Sequence, residues 1–371
     1  MKRYQVGVDD EARFLSMRTQ WGELLSRSTA DPMFASWDWL SCWWRHHRDD
    51  FRLSLHLILA YEGERLVGIA PCHARDVVHK PGVRARRLEL IGNLWRTRST
   101  VMSERTGFIV DRDHPGVWDA LSAAVLDQRD WGDFVLSLSR SDGETFGSLR
   151  RMGSAARLFV REEDPMSAYH IDLSGGFDAW LGRLGQGVRR QLFNKRSKLE
   201  TAGGLRWETA APSDANSFYE DLDRLHEARW GWSATGGRLG RVYREFGEAL
   251  HAPDALHLRR LRVGSRTIAV SRAYRVAGRL YDVQSAMDAD FDRSISPGYL
   301  LAGFMVEEAC ALGLHTVDLL GGRGREVDYK ARLGGEETRL ACLQIVRSPM
   351  LQAMYRVYLT GRSLFTRAGS G

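Results

Sequence analysis

Residues that could bind or transfer charged groups gather in the second half of this 371-residue sequence. At 284–299 a strand pattern containing Gln284 leads into a polar loop and a helix start. A helix N-terminus presents free N–H groups and a partial positive charge, which suits a phosphate. Ser296 can cap that helix, and Pro297 fits its first turn. The segment predicts a phosphate site made of Arg293, Ser294, Ser296 and Gly298; the alternative is an ordinary capped helix.

A second segment begins in the apolar strand pattern at 316–320, which contains Asp318, and continues as a Gly-rich stretch with two arginines. Glycines let a backbone approach a ligand, and a lysine can hold a phosphate or a carboxylate. Ligands of open α/β sheets lie at the carboxyl ends of strands. We therefore predict that Gln284, Asp318, Tyr329 and Lys330 line one cleft. The alternative is a flexible loop in which Lys330 makes a surface ion pair.

Two further segments carry charged residues on predicted helices. His226 and Glu227 lie near a helix end, and either could accept a proton. For His226 an ordinary position at a helix end is the favoured interpretation, whereas Glu227 remains a candidate catalytic residue. The run 189–198 is rich in arginine and lysine and predicts either a solvated helix face or a surface for a phosphate-rich ligand.

Several well-known catalytic motifs are missing from the sequence. It contains no GxSxG, GxGxxG, GxxxxGK[ST] or HExxH motif, which argues against common hydrolases, dehydrogenases, P-loop proteins and zincins. Its four cysteines are far apart without a CxxC, so we expect buried reduced thiols and no metal site.

The order of local patterns resembles the CelD-type, BioF2-like acetyltransferases of the GNAT superfamily, which are related to the FemAB acyltransferases. In the first half the resemblance rests on the tryptophans of 37–44 and on the stretch 63–71. In the second half it rests on the basic run at 189–196, on 226–230 and on 296–298. Asp318, the glycines 321–322 and Tyr329-Lys330 resemble the closing stretch of FemAB-like proteins.

This resemblance implies an α/β fold of two tandem GNAT-like lobes, each a mixed, mostly antiparallel sheet flanked by helices. It also implies direct transfer of an acyl group from acetyl-CoA or another acyl-CoA to an amine or a hydroxyl, in polysaccharide or cell-envelope synthesis. The sequence lacks the usual GNAT phosphate loop and has 293–298 in its place. An aminoacyl-tRNA donor, as in FemAB relatives, therefore stays an alternative, although no long inserted helical hairpin is evident.

Hydrophobic periodicity supplies the elements that would position these residues. We predict helices at 10–27, 115–129, 177–201, 213–230, 239–250 and 298–312, and strands at 53–61, 65–73, 86–91, 106–110, 134–138, 205–209, 256–263, 266–276, 279–286, 316–320 and 338–346. Ser36 is predicted to cap a tryptophan-rich helix. The polar stretch from Arg140 to Pro165 suggests a junction between a lobe at 1–160 and a lobe at 161–348, followed by a helix and tail at 349–371.

A weak internal repeat supports two related lobes. Residues 63–69 align with 264–270, and each stretch lies on a tight turn between predicted strands. We expect the two halves to share a fold, with the chemistry confined to the second.

Composition is that of an ordinary globular protein with a modest positive charge of +6. The charge suits an anionic partner but does not indicate DNA binding. The sequence begins without an apolar leader and has no long apolar run, which predicts a cytoplasmic protein. A non-catalytic module that docks through 349–359 is a further alternative, although such stretches more often pack on their own domain.

Overall fold

The computed structural model describes residues 4–80, 82–97, 100–211, 214–250, 254–292, 294–322 and 325–357. The chain forms two units: unit 1 contains Met1–Pro165 and Arg339–Gly371, and unit 2 contains Met166–Thr338. The sequence-based division places 339–348 in the second lobe. In the structure these residues belong to unit 1, because the last strand pairs with a strand near 133–140.

Unit 1 is a twisted sheet with helices packed against it. Its elements are β1 Gln5–Asp9, α1 Glu11–Ser16, α2 Arg18–Ser26, α3 Trp37–His47, β2 Ser54–Glu62, β3 Arg65–His79, β4 Val83–Leu90, β5 Ile109–Val110, α4 Val117–Asp127, β6 Asp133–Arg140 and α5 Glu144–Ala155. β7, Phe159–Asp172, begins in unit 1 and ends in unit 2.

The remaining elements lie mostly in unit 2. They are α6 Gly176–Arg183, α7 Gln186–Gly203, β8 Leu205–Thr209, α8 Ala215–Trp230, α9 Gly237–Ala249, β9 Leu256–Val263, β10 Arg266–Val276, β11 Arg279–Met287, α10 Pro297–Ala311, β12 Thr316–Gly322, α11 Arg325–Arg332 and β13 Glu336–Val346.

The two units share one topology. In unit 1, β2, β3 and β4 are antiparallel neighbours, and β4 pairs in parallel with β6. In unit 2, β9, β10 and β11 are antiparallel neighbours, and β11 pairs in parallel with β12. Each parallel pair is connected through a helix, α4 or α10. The repeated hairpins are confirmed, since Gly63 and Gly264 both turn with positive φ, +60° and +58°.

The tryptophan-rich helix α3 begins where the sequence predicts. The Ser36 Oγ accepts a hydrogen bond from the Trp39 backbone N–H at 3.2 Å, so Ser36 is the N-cap. Trp39, Trp43 and Trp44 are buried against unit 1. Cys42, Cys72 and Cys342 are buried and Cys310 is partly buried, and all four are free thiols, as expected.

Four predicted stretches differ from the structure for local reasons. The helix expected at 10–27 is two helices that meet at Met17, and the one expected at 177–201 is interrupted at Leu184-Gly185. The junction expected at 140–165 holds α5 and the start of β7; Phe146 and Leu149 of α5 are buried in unit 1. The Gly-rich stretch after β12 leads into the helix α11, which has only eight residues, most of them charged, so its residue types beside the glycines favour a loop.

The C-terminal stretch packs on unit 1 as far as it is described. Residues 349–357 are helical; Leu351 is buried, and the Tyr355 ring stacks on Phe159 with ring centroids 6.1 Å apart. Met350 and Val357 are exposed. This supports the interpretation in which the stretch completes its own domain; residues 358–371 lie outside the described range.

Candidate functional site

The candidate site begins where β11 and β12 part. Their parallel pairing covers only Arg279–Tyr281 against Thr316–Asp318. Beyond these residues β11 continues to Met287 along β10, and β12 continues to Gly322 along β7. The pairing of the two strands therefore ends at Tyr281 and Asp318, and we call the place where their carboxyl ends part the cleft, because open α/β sheets bind ligands at the carboxyl ends of strands.

A bulge on each strand redirects the side chains at this cleft. In β11, Asp282 lies opposite Ala273 and Gln284 lies opposite Arg272, so Val283 is the extra residue. In β12, Leu319 is the extra residue between two paired positions. Successive side chains of a strand alternate between the two faces of the sheet, and the extra residue of a bulge shifts this alternation by one position. As a result Asp282 and Gln284 lie on opposite faces of the sheet, although they are two positions apart.

Asp282 is the centre of a small hydrogen-bonded cluster on the α10 side. Its Oδ1 accepts a hydrogen bond from Ser285 Oγ at 2.6 Å and from Ser271 Oγ at 2.9 Å. Burial raises the pKa of the Asp282 carboxyl, and the two hydroxyls and the charge of Lys330 only partly oppose this effect. A carboxylate with a raised pKa in a cleft is suited to accept a proton near neutral pH.

Tyr329 of α11 binds to the first turn of α10 through a hydrogen bond and a ring contact. Its hydroxyl donates to the Gly298 carbonyl at 2.7 Å, and its ring meets Tyr299 edge-on with centroids 5.0 Å apart. Burial, and then the negative charge of Asp282, raise the pKa of this phenol. Tyr329 therefore remains protonated at any working pH and acts as a hydrogen-bond donor.

Lys330 binds to backbone carbonyl groups at the end of β12. Its Nζ donates to the Gly321 carbonyl at 2.6 Å and to the Leu320 carbonyl at 3.2 Å. Leu320 has a φ of +57°, an uncommon conformation for a non-glycine residue that local contacts must maintain. Both of these bonds go to backbone carbonyl groups at the end of β12. Lys330 fixes a strained strand end and places a positive charge near Asp282.

The other predicted cleft residues are distributed around this centre. Asp318 is fully buried on β12, and its Oδ1 accepts from the Leu320 backbone N–H at 3.0 Å across the bulge. Gln284 faces the α8 side, where its Nε2 donates to the Ala234 carbonyl at 3.1 Å. Asp318 thus stabilises the bulge near the end of β12. Gln284 lies on the face of the sheet that is opposite to Asp282.

Glu227 and His226 lie at the C-terminal end of α8. Glu227 is exposed. His226 is buried between Trp230 and Trp232, with ring centroids 4.4 and 4.3 Å away, and its Nδ1 lies 2.8 Å from the Trp232 carbonyl oxygen. These contacts support the structural interpretation of His226. The charge of Arg229 on the same turn lowers the pKa of Tyr329, so this helix end lies within electrostatic range of the cleft.

The predicted phosphate site is the N-terminus of α10. Ser296 occupies the N-cap position and Pro297 the first turn, as predicted, but no side chain caps the helix. The Ser296 backbone N–H bonds only weakly to Gln191 Oε1, at 3.4 Å. Ser294 is exposed, with its N–H donating to Asp292 at 2.7 Å. Arg293 lies outside the described residues.

Helix α7 places positive charge beside this helix start. Lys198 and Lys195 lower the pKa of the Asp292 carboxyl, after the hydrogen bonds from Ser294. Arg189 and Arg190 are exposed and line an open groove with Phe193. The basic run is thus a solvent-facing surface that borders the predicted phosphate site.

Sequence reasoning misses the acidic centre of the site. Residue types do not single out Asp282, Ser271 and Ser285, because a charged residue within an apolar strand is usually assigned to a solvent face. The bulge at Val283, which no local pattern announces, turns Asp282 inward. An aspartate that stands between Tyr281 and Val283 within the strand is the signal that could have found it.

A substitution at Gly298 tests how closely the start of α10 packs against Met287 and Tyr329. A Cβ at this position would lie 2.9 Å from Met287 Sδ and 3.4 Å from the Tyr329 hydroxyl. We expect Gly298→Ala to lower the free energy of unfolding by about 1–3 kcal/mol, the usual cost of overpacking. Urea unfolding would measure this. The control is Gly182→Ala on α6, where no atom lies within 4 Å of the added methyl; an equal loss there would contradict the assignment.

The described ranges contain neither a metal cluster nor a membrane-spanning helix. No three His, Cys, Asp or Glu residues are grouped closely enough there to hold a metal ion. Likewise, no helix in that part of the chain combines the length and apolar character needed to cross a membrane.

Comparison with known proteins identifies the architecture. Residues 186–331, within unit 2, match the model of the acetyltransferase (GNAT) domain family. No curated protein matches the chain. The crystal structure of FemX is similar with a TM-score of 0.63 at 11% identity, covering 92% of this chain and 98% of that one. A Bacteroides thetaiotaomicron VPI-5482 protein of unknown function gives a TM-score of 0.53 at 10% identity, covering 92% and 100%.

A tandem GNAT protein from the clavulanic acid biosynthesis pathway is also similar, at 11% identity with a TM-score of 0.44, covering 92% of this chain and 98% of that one. The predicted fold class is confirmed: the protein is α/β and has two GNAT-like lobes, each with a mostly antiparallel sheet flanked by helices.

Proposed function

We propose that the protein is an acyltransferase that moves an acyl group, first of all acetyl, from an acyl-CoA to an amine or hydroxyl acceptor. The observation that carries the proposal is the cleft between the diverging ends of β11 and β12, with Asp282 inside it and the N-terminus of α10 beside it. The match of residues 186–331 to the GNAT domain supports the same reaction class.

The donor's phosphates are assigned to the start of α10. The free backbone N–H groups of this helix end and its partial positive charge favour an anion. Ser294, Ser296 and Gly298 would contribute through this backbone, and Arg293 through its charge. The basic face of α7 adds attraction over a longer range.

Transfer would then proceed without a covalent enzyme intermediate. The acceptor nitrogen or oxygen attacks the thioester carbonyl carbon, the C–S bond breaks, and the CoA thiolate leaves. The proton lost by the acceptor passes to Asp282. Tyr329 and Lys330 act as positioning residues, because the first holds the helix start and the second holds the end of β12. Glu227, Gln284 and Asp318 are assigned to the surroundings of the cleft.

A donor screen tests the proposal. We expect acetyl-CoA or another acyl-CoA to raise the melting temperature, since a ligand at 100 times its Kd stabilises the folded state by about 2.7 kcal/mol. Calorimetry on Arg293→Ala should show donor binding weaker by about 1.5–3 kcal/mol, the range for a charged hydrogen bond. Unchanged affinity in a folded variant would remove Arg293 from the site, and no response to any acyl-CoA would overturn the choice of donor.

One observation favours a second candidate function, transfer from aminoacyl-tRNA. The exposed Arg189 and Arg190 lie in an open groove on α7, where a nucleic-acid backbone could bind. The double variant Arg189→Ala/Arg190→Ala separates the two donors. A wild type that responds to charged tRNA and not to any acyl-CoA, and a folded double variant that loses this response, would favour this second function.

A further inference from the structure

A buried arginine with unpaired nitrogens lies on β10, on the face opposite to Asp282. Arg272 is 1% exposed, and its Nε and Nη2 have no hydrogen-bond partner among the described residues. These two nitrogens form one edge of the guanidinium. Elsewhere in the protein, the same edge of Arg87 binds Asp133 at 3.0 and 2.8 Å. A charged edge that is removed from water without a partner is unfavourable unless something else satisfies it.

The guanidinium of Arg272 packs near two aromatic rings, and these contacts do not involve the N–H groups of its Nε–Nη2 edge. Its guanidinium carbon lies 4.7 Å from the Tyr243 ring centroid and 5.8 Å from that of Tyr219. Contacts with ring faces orient a guanidinium but leave its in-plane N–H groups free. A second arginine, Arg244, lies 5.0 Å from the Tyr219 centroid. Neither arginine has a carboxylate partner within the part of the chain that the structure describes, so positive charge accumulates around Tyr219.

Gln284 supplies an unpaired acceptor next to this unpaired donor edge. It lies directly opposite Arg272 in the pairing of β10 with β11. Its Nε2 donates to the Ala234 carbonyl, which fixes the orientation of the amide, and its Oε1 is buried without a hydrogen-bond partner among the described residues. Two registered neighbours therefore present a bidentate donor edge and one acceptor to the same small region.

We propose that Arg272 and Gln284 form a binding site for a small carboxylate-bearing ligand. The two carboxylate oxygens accept hydrogen bonds from Arg272 Nε and Nη2, since the planar fork of an arginine matches a planar carboxylate. A neighbouring N–H or O–H of the ligand donates to Gln284 Oε1. The rings of Tyr219 and Tyr243 flank the bound group, and Arg244 adds positive charge at the edge. The site does not depend on the acyl-transfer reaction.

Thermal shift with small probes tests the proposal on the wild-type protein. Sodium acetate, acetamide and sodium phosphate are compared at constant ionic strength set with sodium chloride. Acetate should raise the melting temperature and saturate, whereas acetamide, its neutral counterpart, should have no effect. A response to phosphate that exceeds the response to acetate, or no response to acetate beyond that of chloride, would overturn the carboxylate assignment.

Variants identify the residue responsible. Arg272→Met should lose the acetate response and should melt no lower than the wild type without acetate, because it removes an uncompensated buried charge. The control Arg266→Met removes an exposed arginine of the same strand and should keep the response. If Arg272→Met does not fold, Arg272→Lys replaces it; this variant keeps the charge, loses the fork and should weaken acetate binding at least tenfold. An unchanged acetate response in either variant would refute the site.

Discussion

Replacing Asp282 by Asn is expected to lower kcat/KM for acyl transfer by about 10²–10⁴-fold, the usual contribution of a general base. Asn keeps the size of the side chain and can accept hydrogen bonds from Ser271 and Ser285, but it cannot take a proton. The measurement follows release of the CoA thiol from the donor that the screen identifies, with a panel of small amines and alcohols as acceptors.

The pH profile gives this prediction a second readout. Only the ionised carboxylate accepts a proton, so kcat/KM should rise with pH through the pKa of Asp282. Because burial raises this pKa, the rise should lie above about pH 4, the usual aspartate range. Lys330→Met removes a charge that lowers the pKa of Asp282 and should move the rise to still higher pH. In Asp282→Asn the rise should vanish.

A matched substitution controls for general damage. Asp214→Asn changes an exposed aspartate at the start of α8, where asparagine is an equally good N-cap, and should leave kcat/KM unchanged. A folded Asp282→Asn enzyme with wild-type turnover would show that another group accepts the proton.

The second large effect is on stability and concerns Asp133 of unit 1. This fully buried carboxylate accepts three hydrogen bonds through Oδ2, two from Arg87 and one from Gln344 Nε2 at 2.6 Å. We expect Asp133→Ala to lower the free energy of unfolding of unit 1 by about 3–5 kcal/mol, because it leaves the buried Arg87 without its counterion. Urea unfolding followed by circular dichroism would measure the loss.

Asp142 provides the control for Asp133. It also binds an arginine, Arg140, through two hydrogen bonds, at 3.1 and 3.0 Å, but both side chains are largely exposed. Asp142→Ala should therefore cost at most about 1 kcal/mol. The double variant Arg87→Met/Asp133→Leu should recover much of the lost stability, since an apolar pair of similar volume often replaces a buried ion pair. Equal losses at Asp133 and Asp142 would contradict the argument.

The pH dependence of this stability follows from the direction of the shift. Burial alone would raise the pKa of Asp133, but the nearby His79 ring, whose Nε2 lies 3.6 Å from Oδ1, and the charge and hydrogen bonds of Arg87 outweigh burial and lower it. A lowered pKa contributes stability that is present above the unfolded value, about 3.9, and is lost as the pH falls through the folded value. The difference between the wild type and Asp133→Asn should therefore shrink in acid.

Regular patterns in the sequence determined most of the elements. The predicted bounds of β9 and β10 are those of the structure, and β11 and α10 differ by one residue at their ends, because long apolar alternation and turn glycines are local signals. The hairpin repeat at Gly63 and Gly264 likewise indicates two related lobes from residue types and spacing. The same kind of signal indicates the basic face of α7 and the Ser296-Pro297 helix start.

Tertiary structure alone decided what the site contains. The bulge at Val283 turns Asp282 toward Ser271 and Ser285 and turns Gln284 toward Arg272, and a one-residue insertion in the strand register has no signature in side-chain types. The parting of β11 from β12 depends on the partners of each strand, β10 and β7, and β7 is distant from both in sequence. Residue types along the chain state which groups are present, whereas register and packing decide which of them face one another.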